Sequence, residues 1–113
     1  LKPGGYAVVS TENASSWHNI FATILGWQMF SLTNLSVKRL GIGNPLAIHR
    51  DEVGHLGSWT HKTIFSYRGM LDFLHCHDFR QVDIAGSGYY PLPASVGRVD
   101  RRHAHFITAR AQK

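Results

Sequence analysis

The first ten residues, Leu1-Lys2-Pro3-Gly4-Gly5-Tyr6-Ala7-Val8-Val9-Ser10, decide which fold the chain can adopt. Proline fixes φ at one central position of a turn, and the following glycine supplies positive φ, so the segment predicts a tight turn. The short, largely apolar run 6–10 is rich in β-forming residues and predicts a strand buried on both faces. Because a turn that leads straight into a buried strand normally follows another element, the sequence is expected to begin within a domain.

Two helical patterns follow this strand. Ser15 and Ser16 offer capping hydroxyls before an apolar stripe at helical spacing, which predicts an amphipathic helix with the stripe in the core. Ser66 is a good N-cap for a second helical pattern, which closes near His77. The first stripe consists of Trp17, Ile20, Phe21, Ile24 and Leu25, and the second of Tyr67, Met70, Leu71 and Leu74.

Two further strands complete the predicted order. Val82 and Ile84 alternate with polar neighbours, residues 86–93 form a loop, and the apolar residues 103–111 predict a last buried strand. The order is strand, helix, long loop, helix, strand, loop, strand, which is an α/β pattern. Residues 1–113 are predicted to form one partial domain, in which the glycine-punctuated segment 31–60 is an irregular, mobile loop or lid.

Composition narrows the class of protein. The 113 residues carry 12 Lys and Arg against 7 Asp and Glu, a net charge of +5, but the basic residues are scattered and form no run. This distribution disfavours nucleic-acid binding and leaves a non-catalytic basic binding module as an alternative function. The single cysteine, Cys76, excludes an internal disulfide, the apolar stretch 20–32 is too short to span a bilayer, and no signal peptide opens the sequence. A cytoplasmic location is therefore expected.

The sequence resembles the class I S-adenosylmethionine-dependent methyltransferases of the type 11 group. The resemblance lies in five segments that occur in the family's order: LKPGGYAVVSTEN at 1–13, HKTIFS at 61–66, HDF at 77–79, GSGYYP at 86–91 and HAHF at 103–106. In the family these correspond to the turn and fifth strand of a Rossmann-like sheet, the run before the last helix, and the last strands. Glu12 stands where proline is usual, and Asp78 stands where glycine is usual after a helix.

The resemblance implies a fold and an activity. It implies the C-terminal part of a Rossmann-like sheet, in which the fifth strand pairs antiparallel with the last strand and the last two strands are antiparallel. It also implies methyl transfer from S-adenosylmethionine to a small-molecule acceptor. The family's glycine-rich cofactor loop and ribose-binding acidic residue have no counterpart in residues 1–113, so this segment alone is expected to be inactive and to bind no cofactor. Its expected partner is the N-terminal half of the domain.

Six residues are the candidate site. The resemblance places His61 beside the substrate cavity, where histidine titrates near neutrality and could accept a proton; a structural, hydrogen-bonding role is the alternative. The others follow the carboxyl end of the first strand or lie in the loop before the last one, where ligands bind in open α/β sheets. They are Glu12, Asn13, Trp17, Tyr89 and Tyr90. The plainer alternatives are a helix cap for Asn13, core packing for Trp17, and cover of an exposed sheet edge for Tyr89 and Tyr90. No metal site is expected, because the eight histidines and one cysteine show no zinc-ligand spacing.

The edge of the first strand suggests a further partner. If this strand pairs only with the last strand, one row of its N–H and C=O groups is left open. An open apolar edge is a template for another chain. A homodimer that joins two such edges is therefore expected.

Overall fold

The computed structural model describes residues 1–54 and 63–113 of the chain. It is a small α/β fold with a three-stranded antiparallel sheet. Its elements are β1 (Tyr6–Glu12), α1 (Trp17–Ile24), a 3₁₀ turn (Phe30–Leu32), α2 (Tyr67–Cys76), β2 (Gln81–Ser87), α3 (Val96–Val99) and β3 (Phe106–Gln112). The α/β order predicted from the sequence is confirmed, while α3 was not expected. In the described part of the chain no helix combines the length and apolarity needed to cross a membrane.

The sheet has the order β1-β3-β2, and both of its strand pairs are antiparallel. The register places Glu12 and Ser87 on either side of Phe106. The carboxyl ends of β1 and β2 therefore flank the beginning of β3, at the same end of the sheet. Side chains from all three connections can meet there.

Backbone contacts divide the chain into two compact units: Leu1–Trp17 with Phe65–Lys113, called the sheet unit, and His18–Ile64, called the second unit. The core of the sheet unit lies between α2 and one face of the sheet. Met70 and Leu74 of α2 are buried with Ile84 of β2 and with the β3 side chains Ile107, Ala109 and Ala111. The two alanines let a helix approach the sheet closely, because they place little volume above the strand.

The helix α2 begins as the sequence predicts. The Ser66 Oγ accepts a hydrogen bond from the Gly69 backbone N–H at 3.1 Å, which satisfies one of the orphan donors of the first turn. After the helix, Asp78 adopts the left-handed conformation with φ of 65°. Asp tolerates this region better than most residues with a Cβ, so the helix ends here without glycine.

The prediction that β1 is buried on both faces is wrong. Val8 is 70% exposed, and Tyr6 and Val9 are exposed as well. The reason is the position of the strand: β1 lies at the edge of the sheet and pairs with β3 alone among the described residues, while α2 packs against β2 and β3. An apolar composition therefore does not indicate burial in this strand.

The predicted core stripe of α1 is also wrong. Trp17, Phe21, Ile24 and Leu25 are exposed, and the buried residues of this helix are Asn19 and Ala22. In the second unit the Asn19 amide donates to the Ser31 Oγ at 2.9 Å and accepts from the Ser31 N–H at 3.2 Å. A buried amide with both functions satisfied fixes which side of the helix faces inward. The helix also stops at Ile24, before the apolar residues 27–30.

The second unit is irregular, but its backbone is extensively hydrogen-bonded. The Leu40 N–H donates to the Glu52 carbonyl at 2.8 Å, and the Gly54 N–H donates to the Val37 carbonyl at 2.9 Å. Asn44 is buried; its Nδ2 donates to the Gln28 carbonyl at 3.0 Å and its Oδ1 accepts from a backbone N–H. These bonds tie residues 28–54 together. Mobility of the segment 31–60 stays a prediction, and residues 55–60 of this segment lie outside the described ranges.

Candidate functional site

The candidate site lies in the sheet unit, at the end of the sheet where β1 and β2 finish and β3 begins. The segment after β1 holds Asn13 and Trp17, the segment after β2 holds Tyr89, and the turn before β3 holds Asp100 and His103. The sheet register brings these three segments together, although they are far apart in the sequence.

Asn13 joins two of these segments. Its side chain is 0% exposed, and its Nδ2 donates to the Arg102 and Ala104 carbonyls, each at 2.8 Å. Its Oδ1 accepts from the Ser15 N–H at 3.0 Å and from the Ser15 hydroxyl at 2.8 Å. The amide is thus fully engaged within the chain. Asn13 positions the residues on either side of it.

Four side chains form a closed ring of contacts, called here the aromatic–carboxylate cluster: Trp17, Tyr89, Asp100 and His103. The Trp17 Nε1–H donates to the Tyr89 hydroxyl at 2.7 Å, and that hydroxyl donates to the Asp100 carboxylate. The same carboxylate accepts from the His103 Nδ1, at 2.9 and 3.0 Å from its two oxygens. The His103 ring stacks on Trp17 with centroids 4.5 Å apart and planes at 26°, which closes the ring.

The charge of Asp100 organises this cluster. The hydrogen bond from Tyr89, followed by the bond and the charge of His103, lowers the pKa of Asp100, so the group is ionised at neutral pH. The hydrogen bond to this carboxylate is the main cause that raises the pKa of Tyr89 and keeps its phenol protonated. An ionised carboxylate can only accept hydrogen bonds, so the His103 Nδ1 must carry a proton. In neutral His103 the lone pair therefore lies on Nε2.

Glu12 is the last residue of β1 and precedes Asn13, but its side chain has different surroundings from the cluster. Its Oε2 is buried and has no hydrogen-bond partner within the described residues. Burial lowers the pKa of His105, and the negative charge of Glu12 partly opposes that shift. The His105 N–H donates to the Gly88 carbonyl at 3.0 Å, and its ring stacks on Phe106. These contacts hold the beginning of β3 against the end of β2.

The structure brings some of the sequence-derived candidates together and not others. Trp17 and Tyr89 share a hydrogen bond, and Asn13 lies in the same part of the sheet unit. Tyr90 is 71% exposed and makes no hydrogen bond to the cluster in the part of the chain that the structure describes. His61 lies outside the described residues.

Two members of the cluster, Asp100 and His103, were not among the sequence-derived candidates. The sequence pattern predicts that the last strand begins at His103, and this is wrong, because β3 begins at Phe106. His103 instead lies in the turn that follows α3, where its ring reaches the carboxylate three residues earlier. The signal that could have identified the pair is the spacing Asp-x-x-His directly after a short helix.

Two of the glycines in the described part of the chain, Gly41 and Gly86, are closely packed. A Cβ at Gly86 would lie 2.7 Å from the Ala104 Cβ and 2.9 Å from the Arg101 Cα, and a Cβ at Gly41 would lie 2.6 Å from the Arg50 Cα. The space beside these glycines is thus filled by the chain's own backbone. A nucleotide-type cofactor needs that space, so Gly41 and Gly86 do not fit a cradle for S-adenosylmethionine. Residues 1–54 and 63–113 also contain no group of three or more His, Cys, Asp or Glu side chains placed to hold a metal ion.

Comparison with known proteins found no matching protein-family model, no matching curated protein and no matching solved structure. The function is therefore argued from the residues and from the arrangement of the sheet.

Proposed function

We propose that these 113 residues form the acceptor-binding part of an S-adenosylmethionine-dependent methyltransferase with a Rossmann-like sheet. The observation that carries the proposal is the strand order β1-β3-β2 with two antiparallel pairs. The sequence resemblance implies this order: the fifth strand beside the last strand, and the last two strands antiparallel. Three strands in other pairings or directions would have spoken against it.

The position of the cluster supports an acceptor site. Ligands of open α/β sheets bind beyond the carboxyl ends of the strands, which is where β1 and β2 end and the cluster begins. Trp17 and Tyr89 supply an aromatic surface, Asp100 and His103 supply polar groups, and Asn13 holds the turn that carries them. Small-molecule sites combine a largely apolar lining with a few placed polar groups in this way.

We assign the methyl donor to sequence outside residues 1–113, because a Cβ at any of the paired glycines Gly41, Gly43, Gly86 and Gly88 would lie 3.1 Å or less from an atom of the chain itself. Within residues 1–113, the contribution to the reaction is to hold and orient the acceptor. Holding reactants in the right geometry can supply a large part of a rate enhancement, so a segment without a nucleophile still contributes to catalysis.

Calorimetry with S-adenosylmethionine tests this assignment. We expect no binding at micromolar concentrations by the 113-residue chain, and micromolar binding together with methyl transfer to a small molecule by the product of the complete reading frame. The trace of the 113-residue chain serves as the matched control. Micromolar binding by residues 1–113 alone, or a complete product that neither binds the cofactor nor transfers a methyl group, would contradict the proposal.

A second copy of the chain is the further proposed partner. Six of the seven β1 residues, all but Glu12, are uncharged, and the free edge of this strand carries no lysine or proline that would discourage pairing. We expect the 113-residue chain to form a dimer at high micromolar concentration by pairing two such edges. Val8→Lys places like charges together across that pairing, and sedimentation should then show a monomer. Val99→Lys introduces the same charge at an exposed position of α3 and should leave the dimer intact. A wild-type monomer at that concentration would refute the pairing.

A further inference from the structure

We propose that His103 is the general base of the acceptor site, that Asp100 is its positioning residue, and that the acceptor is a small aromatic molecule bearing a hydroxyl group. This inference rests on the proposed function and specifies the acceptor that the cluster takes. The experiment that tests it needs no methyl donor.

The geometry gives His103 the protonation state that a base requires. Its Nδ1–H is held by the Asp100 carboxylate at 2.9 Å, so the lone pair is on Nε2. Nε2 makes no hydrogen bond to any residue in the described ranges, and the His103 side chain is 32% exposed. A histidine oriented by a carboxylate through one nitrogen and open at the other is the arrangement that accepts protons in hydrolytic triads.

The groups around His103 favour its protonated form when a proton arrives. Asp100 stands next to the ring and stabilises an imidazolium, and Tyr89 bonds to the same carboxylate as a neutral phenol. The guanidinium of Arg101, a neighbour in sequence, reaches the Asp83 carboxylate at 3.4 Å and the Ile84 carbonyl at 3.3 Å. Trp17 covers one face of the ring without charge. The charged group in contact with the imidazole is therefore the Asp100 carboxylate, and Arg102, which precedes His103 in the sequence, is exposed to solvent.

The class of acceptor follows from acidity and shape. A phenol has a pKa of about 10 and imidazole has a pKa of about 6.5. Hydrogen bonding and a neighbouring carboxylate can reduce the difference between these two pKa values. Aliphatic alcohols are far weaker acids than phenols. The His103 ring covers part of Trp17, which is still 47% exposed and so leaves apolar indole surface next to the imidazole that an aromatic ring can contact.

The proposed proton transfer is simple. The O–H bond of the acceptor breaks, its electron pair stays on oxygen as a phenolate, and the proton forms a new N–H bond at Nε2. The imidazolium, paired with the Asp100 carboxylate, later returns the proton to water. The phenolate is the stronger nucleophile that methyl transfer to oxygen requires.

The probe 4-nitrophenol tests this step directly in the 113-residue chain, because its phenolate is coloured and its phenol is not. We expect the apparent pKa of the bound probe to fall by about one unit relative to the free probe, and its binding to shift the ring nitrogen resonances of His103. His103→Gln should bind the probe without lowering its pKa. His49→Gln is the matched control, because it removes another histidine that contacts a carboxylate, that of Glu52, and it should leave the effect intact.

Asp100→Asn tests the positioning residue separately. It keeps a side chain of the same shape but removes the charge that holds the proton on Nδ1, so we expect ring nitrogen chemical shifts to show a smaller share of the Nδ1–H tautomer of His103, and the shift of the bound probe to shrink. A merely structural role of Asp100 would leave the tautomer of His103 unchanged in the folded variant. An undiminished probe shift in His103→Gln, resonances of wild-type His103 that do not respond to the probe, or no binding at millimolar probe would each overturn the proposal. None of these outcomes depends on whether the complete protein binds S-adenosylmethionine.

Discussion

Replacement of Gly86 by alanine is expected to lower the free energy of unfolding by about 3 kcal/mol or more. Gly86 is buried in β2, where a Cβ would overlap the Gly97 carbonyl and lie within 3 Å of Ala104 and Arg101. Most of these neighbours are backbone or short side-chain atoms, which cannot move aside as the end of a long side chain can. The substitution would push β2 away from the segment 97–104 and with it from Asp100 and His103.

Urea unfolding followed by circular dichroism measures this effect. Gly4→Ala is the matched control: Gly4 has φ of 80° but no atom within 4 Å of a Cβ, so it isolates the cost of backbone conformation, about 1 kcal/mol. A loss at Gly86 no larger than the loss at Gly4 would show that β2 and the segment 97–104 are not packed as closely as described.

Replacement of Asn13 by alanine is expected to cost about 3 kcal/mol of stability. The buried amide donates to the carbonyls of Arg102 and Ala104 and accepts from Ser15, and its bond to Ala104 is fully buried. Its loss leaves the Ala104 carbonyl without this donor and removes the link between the end of β1 and the turn before β3. Asn13→Asp should be at least as damaging, because a carboxylate would face two carbonyl oxygens.

The same unfolding experiment shows whether the loss of stability is specific to Asn13 or follows the removal of any asparagine. Asn34→Ala, at a half-buried position in the second unit, should change the stability by less than about 0.5 kcal/mol. If both asparagine variants cost the same, Asn13 would not have the anchoring role assigned to it. An Asn13→Ala protein that folds but shows altered His103 resonances would support the link between this anchor and the cluster.

Local signals in the sequence were sufficient for α2 and β2. The cap at Ser66 and the alternation around Ile84 depend on neighbouring residues alone, and the structure has both elements where the pattern puts them. The family resemblance puts Asp78 where glycine is usual after a helix, and the structure has this residue in the left-handed conformation.

Elements whose surroundings are decided by distant residues were not predictable. The stripe of α1 predicts an apolar buried face, but the buried residue Asn19 is selected by its hydrogen bonds to Ser31. The apolar run of β1 predicts burial, but its place at the edge of the sheet exposes Val8. Burial depends on what covers an element, and periodicity carries no information about that.

The candidate site divides in the same way. The sequence pointed to Trp17 and Tyr89 by their positions after strands, but nothing local indicates that an indole and a phenol 72 residues apart share a hydrogen bond. Asp100 was overlooked because a single carboxylate in a turn usually faces solvent. Only the three-dimensional closeness of His103, Tyr89 and Trp17 gives it a role.

The pairing of β1 with β3 sets the order in which the sheet unit assembles. Ser87 of β2 and Phe106 of β3 face each other across a connection of 18 residues, whereas Glu12 of β1 faces the same Phe106 across a connection of 93 residues. Loop-closure entropy must be overcome before such distant contacts stabilise the fold, and a high contact order slows folding. We therefore expect α2, β2 and β3 to come together first and β1 to dock last. Since Asn13 and Trp17 arrive with β1, the cluster takes shape in the final step of folding.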